Sequence, residues 1–138
     1  MGFIYVRTDI SNHPDSVCKI GQTSNIIDRI HQYITGEYTR GKLLLVIEIL
    51  DEKYTHVDIE QILQRYFKCY HSKQNGGIEF YKLQILNEIV PFLNKTILKF
   101  KVLTDADIDS LESAVRLKTL THSLSSIKFT KKLSNRPL

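Results

Sequence analysis

Two short stretches, Phe3-Ile4-Tyr5-Val6-Arg7-Thr8 and Val17-Cys18-Lys19-Ile20-Gly21-Gln22-Thr23, decide how the rest of the chain is read. Both are rich in β-branched and aromatic residues, which fit a pleated surface. The turn formers Asp9, Ser11, Asn12, Pro14, Asp15 and Ser16 lie between them, so a long-looped hairpin is predicted. Side chains alternate along a strand. Ile4 and Val6 then face a core, and Phe3, Tyr5 and Arg7 face the other side. In the second strand Cys18 and Ile20 go inward while Val17, Lys19 and Gly21 go outward. Pairing the strands places Tyr5 and Lys19 on one face of the sheet.

Working outward, a helix follows, with Asn25 as N-cap, Asp28 three residues on and Gly36 at its close. Ile26, Ile30, Tyr33 and Ile34 form its apolar side, and Arg29 stands one turn before Tyr33. Lys42 to Leu50 is a continuous apolar run of strand length, which predicts an interior strand covered on both faces. Thr55 and Asp58 are a second cap signal. They open a helix whose Ile59, Ile62, Leu63, Tyr66, Phe67 and Tyr70 share one face. Glu60 lies about 100° round from Ile59, at the margin of that stripe and half sheltered. Ile78 to Leu83 reads as a short extended piece, and a brief helix from Gln84 ends near Pro91. Leu98, Phe100 and Val102 alternate with lysines as a further strand, and Thr104 with Asp107 caps a last helix to about Ser123.

Composition bounds the function classes. With 138 residues, 42% hydrophobic and 25% charged, the chain suits one folded domain. No apolar run approaches the ~20 residues of a membrane span, and no secretory signal is legible, so an intracellular protein without membrane attachment is expected. Two cysteines, Cys18 and Cys69, cannot build a disulfide framework or a cysteine-rich zinc site. Charge is uneven: residues 1–83 carry 10 basic and 10 acidic side chains, residues 84–138 carry 9 and 5. After Glu112 come Arg116, Lys118, Lys128, Lys131, Lys132 and Arg136 with no acid. Such an end suits a phosphate backbone or an acidic partner; a solvated tail is the alternative.

Tyr5, Lys19, Arg29, Tyr33 and Glu60 are the polar candidates on one side of this plan. A carboxylate at the edge of an apolar stripe can hold a divalent cation that keeps its waters. An arginine offers bidentate contact to phosphate. A tyrosine beside a lysine has its ionised form favoured, which helps it accept a proton. These are parts for hydrolysing a phosphodiester. The plain alternative is that Arg29 and Glu60 are surface residues and the tyrosines pack.

Phe3-Ile4-Tyr5 followed by Lys19-Ile20-Gly21 resembles the paired signature of the GIY-YIG nuclease superfamily. Arg29, eight residues beyond Gly21, falls where that family carries its helical arginine, and Glu60 stands where it carries a metal-binding glutamate. Gly76-Gly77-Ile78-Glu79-Phe80-Tyr81 resembles the terminal Gly-Glu-aromatic segment of its phage and large-virus branch. The resemblance implies an α+β fold, a small antiparallel sheet of three strands flanked by helices. It implies Tyr5 as general base, Arg29 on the scissile phosphate, Glu60 on one Mg²⁺ or Mn²⁺, and Lys19 in place of the second-motif tyrosine. Tyr33 stands where some members carry histidine and either bonds the phosphate or packs. His56, a turn before Glu60, and Glu79 are supporting candidates.

The match spans Gly2 to about Leu83. The expected organisation is a core over 1–83, an extension over 84–123 that packs on the core or forms a homodimer, and a basic mobile tail over 124–138. Lys128, Lys131, Lys132 and Arg136 are the expected DNA contacts of the tail. The expected function is metal-dependent endonucleolytic cleavage of DNA. Its rivals are a DNA-binding module of the same fold without turnover and a protein-interaction domain using the extension.

Overall fold

A computed structural model describes residues 2–8, 17–36, 42–71 and 80–117. Five strands form one antiparallel sheet: β1 (Phe3–Thr8), β2 (Val17–Thr23), β3 (Lys42–Ile49), β4 (Phe80–Lys82) and β5 (Phe100–Val102), in the order β4-β2-β1-β3-β5. The helices are α1 (Ile26–Gly36), α2 (His56–Tyr66), α3 (Ile89–Asn94) and α4 (residues 105–117). The α+β class is as expected, but the sheet has five strands and not three. β2, β1 and β3 are the middle, and two three-residue strands extend it at the edges. Segments so short show almost no periodicity of their own, and their pairing is fixed by the strands they join. Exposed Lys82 and Lys101 on these strands discourage further pairing.

Strand alternation sorts the residues as the sequence indicates. Ile4, Val6, Cys18, Ile20, Leu45, Ile47 and Ile49 pack with Ile59, Leu63 and Phe67, and with Ile85, Ile89 and Leu93 from the segment after β4. That cluster is covered by α2 and α3. On the opposite face Tyr5, Leu43 and Val46 pack with Ile26 and Ile30 of α1 and with Ile108 and Val115 of α4. β3 is therefore buried on both sides, as its unbroken apolar run predicts.

Local signals set the helix ends. The Asp58 amide donates to Thr55 Oγ1 at 3.2 Å and the Thr55 amide to Asp58 Oδ2 at 3.0 Å, a reciprocal capping box. Thr104 and Asp107 form a second one, at 3.0 and 3.1 Å. The Asp28 amide donates to Asn25 Oδ1 at 3.1 Å at the head of α1. Asp51 accepts from the amides of Lys99 and Lys53 at 3.0 and 2.9 Å, which ties the end of β3 to the approach to β5. Those amides hold its carboxyl below the usual carboxylate range.

Two sequence expectations are corrected. The helical stripe predicted to reach Tyr70 breaks at Phe67, and Lys68–Tyr70 is a 3₁₀ turn. Pro91 does not end a helix from Gln84. Leu83–Asn87 is a 3₁₀ turn, and Pro91 is the third residue of α3, where a missing N–H removes no intrahelical bond. Glu79, the linker between β1 and β2, and the tail residues Lys128, Lys131, Lys132 and Arg136 lie outside the described residues. Among the described residues no helix is long and apolar enough to cross a membrane.

Candidate active site

The site grows from the register of the first two strands. Tyr5 lies opposite Gly21 and Arg7 opposite Lys19, so all four share the face covered by α1 and α4. Gly21 is required there by space. A Cβ built on it would collide with the Tyr5 ring at Cζ, Cε2 and the hydroxyl. The glycine lets the ring lie flat across β2, and its absent side chain is the volume Tyr5 fills. The turn from β2 into α1 is held by Thr23, whose hydroxyl accepts from the Asn25 amide at 3.1 Å. That short link sets α1 over the same face and delivers Arg29 and Tyr33.

Tyr5 is 2% exposed, and its hydroxyl meets that of Tyr33 at 2.8 Å. The rings stand edge to face, centroids 6.0 Å apart. The Arg7 guanidinium carbon sits 3.6 Å from the Tyr33 ring centroid. Burial, above all, pushes the Tyr5 phenol well above its ordinary value of 10.0; the hydrogen bond and proximity of Tyr33 push the same way. The Arg29 and Arg7 charges pull it back down. A phenol pair thus stands among Arg7, Lys19 and Arg29. Arg7 and Lys19 stand directly opposite on paired strands, so two cations share this face.

The candidates from sequence divide by face. Tyr5, Lys19, Arg29 and Tyr33 come from the face under α1, with the last three half-buried. Glu60 comes from α2, whose Ile59 and Leu63 belong to the opposite cluster, and it too is half-buried. His56 is half-buried at the start of α2, against Gly2, where a Cβ on the glycine would collide with the imidazole. Among the described residues no three His, Cys, Asp or Glu side chains converge as a metal-binding group. Glu60 alone suits a hard cation that retains most of its waters, and does not suit a zinc site of nitrogen and sulfur ligands.

Arg7 is the residue that sequence reasoning missed. The signal was present: alternation puts it on the face of Tyr5, two residues away. A charged residue on a strand's second face reads as solvated until a helix is known to cover it.

The T5orf172 domain matches residues 2–97, more than half of the chain. No curated protein and no solved structure matches.

Proposed function

The chain belongs to the T5orf172 domain family, and from that premise we propose that it acts on DNA as a metal-dependent endonuclease. Family membership is compatible at a coarse level with nuclease or DNA-binding work. The observation that carries the reading is the Tyr5–Tyr33 hydroxyl pair, 2.8 Å apart, on a face that also holds Arg7, Lys19 and Arg29.

In this reading Arg29 and Lys19 bind the phosphate, the arginine by its fork and the lysine as a point charge. Tyr5, once ionised, takes a proton from the attacking water, held in place by its bond to Tyr33. Glu60, on α2 over the opposite face, would hold one Mg²⁺ or Mn²⁺; the metal would supply positive charge toward a phosphodiester, and the proton transfer at the phenol pair does not run through it. Lys128, Lys131, Lys132 and Arg136 add non-specific contacts to the backbone. Each such contact steepens the dependence of log K on log salt by about one unit.

Incubation of the purified chain with duplex, branched and single-stranded DNA, with Mg²⁺ or Mn²⁺ against chelator, tests this. Glu60→Gln is expected to abolish cleavage with the melting temperature nearly unchanged. A second reading, DNA binding without turnover, draws on the same phenol, because burial makes the Tyr5 proton hard to remove. Metal-independent binding with no cleavage of any substrate would favour it.

A further inference from the structure

Arg7 is the only charged side chain in the buried class among the described residues, 6% exposed. Burying a cation costs free energy that its surroundings must offset. The register between β1 and β3 shifts between Val6 and Arg7, with Leu44 of β3 as the extra residue, while Arg7 keeps its regular place opposite Lys19 of β2. On the face that alternation gives it, the guanidinium lies over Tyr33 at 3.6 Å, and Tyr33 meets Tyr5 at 2.8 Å. Arg7, Tyr33 and Tyr5 form a relay of contacts in that order.

We propose that Arg7 is a positioning residue: stacked on Tyr33, it holds that ring so that its hydroxyl stays within hydrogen-bond reach of Tyr5. The inference rests on the reading of Tyr5 as the base. The attraction of a guanidinium to the face of a phenol ring fixes the ring's place over β1. The step balances as follows. Tyr5 loses its proton to solvent, and the phenolate then takes one proton from water as the water oxygen bonds to phosphorus. The leaving oxygen departs with the electron pair of the broken P–O bond and takes a proton from solvent, and Tyr5 returns its proton to solvent before the next turnover.

Among the described strand residues and α1, the charged groups on this face are Arg7 of β1, Lys19 of β2, Glu48 of β3, Lys101 of β5 and Arg29 of α1. β3 presents Leu43 and Val46, with Glu48 further along opposite Phe3. α4 presents Ile108, Leu111 and Val115, with half-buried Glu112 on the same helix.

The test uses the full chain and needs no cleavage. The hydroxyl proton shared by Tyr5 and Tyr33 is followed by NMR for exchange with water in the parent, Arg7→Gln and Arg7→Lys. Loss of a buried cation–π contact predicts exchange about tenfold faster in Arg7→Gln, with amide exchange at Leu63 and Ile85 unchanged. Arg7→Lys keeps the charge but not the planar stack and falls between. Unchanged hydroxyl exchange in Arg7→Gln, or equal acceleration at the Leu63 and Ile85 amides, overturns the positioning role. If the parent cleaves nothing, the nuclease reading fails while hydroxyl exchange still decides the role of Arg7.

Discussion

The two faces of the sheet are built from the same strands and differ in nearly every other respect. Under α2 and α3 the contacts are aliphatic and aromatic, and Cys18 sits among them as a small apolar group. Under α1 and α4 the cluster is smaller, and its middle is a phenol pair with a buried arginine. A cleft of about 360 Å³, lined by Tyr66, Tyr70, Glu88, Phe92 and Lys95 among others, opens on the first face. The convergent charge lies on the second. The phenol pair and the cations thus lie across the sheet from this cleft, and of the candidate residues Glu60 alone stands on the cleft's side.

Substitutions on each face sharpen that division. Leu63→Ala, in the apolar cluster, is expected to cost about 2–5 kcal/mol in denaturant unfolding, with turnover per folded molecule unchanged. Tyr5→Phe keeps the ring and removes the acceptor, so turnover should fall by ~10² or more with little change in DNA affinity. Its cost in stability is that of one hydrogen bond, about 1 kcal/mol. Equal loss of stability from the two changes would erase the distinction. Gly21→Ala should do some of both: overpacking against Tyr5 costs about 1–3 kcal/mol and displaces the hydroxyl, so melting temperature and turnover fall together.

The smallest expected effect is a slope. Burial pushes the Cys18 thiol up from 9.0 to about 12. Stability from keeping it neutral is present below pH 9 and is lost as pH rises toward 12, by about 1.4 kcal/mol per unit. Tyr5, raised above 10.0, adds a loss of the same sign that begins above pH 10. Unfolding free energy measured against pH should flatten between 9 and 10 in Cys18→Ala, and only above 10 in Tyr5→Phe. A single onset shared by both variants would contradict the assignment of one group to each face.

Much of this was legible because local rules and tertiary structure agree. Alternation in FIYVRT and VCKIGQT placed Tyr5 and Lys19 on one face, and Thr55–Asp58 and Thr104–Asp107 marked helix starts by a hydrogen-bond pattern three residues long. The apolar run of β3 declared its double burial. What escaped depended on distant partners. The edge positions of β4 and β5 are set by β2 and β3, and the burial of Arg7 by helices that no residue of β1 encodes. Pro91 was misjudged because its effect turns on helix position, and the helix start at Ile89 carries no side-chain cap.

The most direct test is cleavage of a labelled DNA substrate panel by the purified chain, with Mg²⁺ or Mn²⁺ against chelator, beside Tyr5→Phe and Arg29→Lys at matched fold stability. Cleavage by the parent that needs the metal and is lost in both variants is the expected result. Cleavage that survives Tyr5→Phe, or none by the parent with any substrate or metal, would contradict catalysis at the phenol pair.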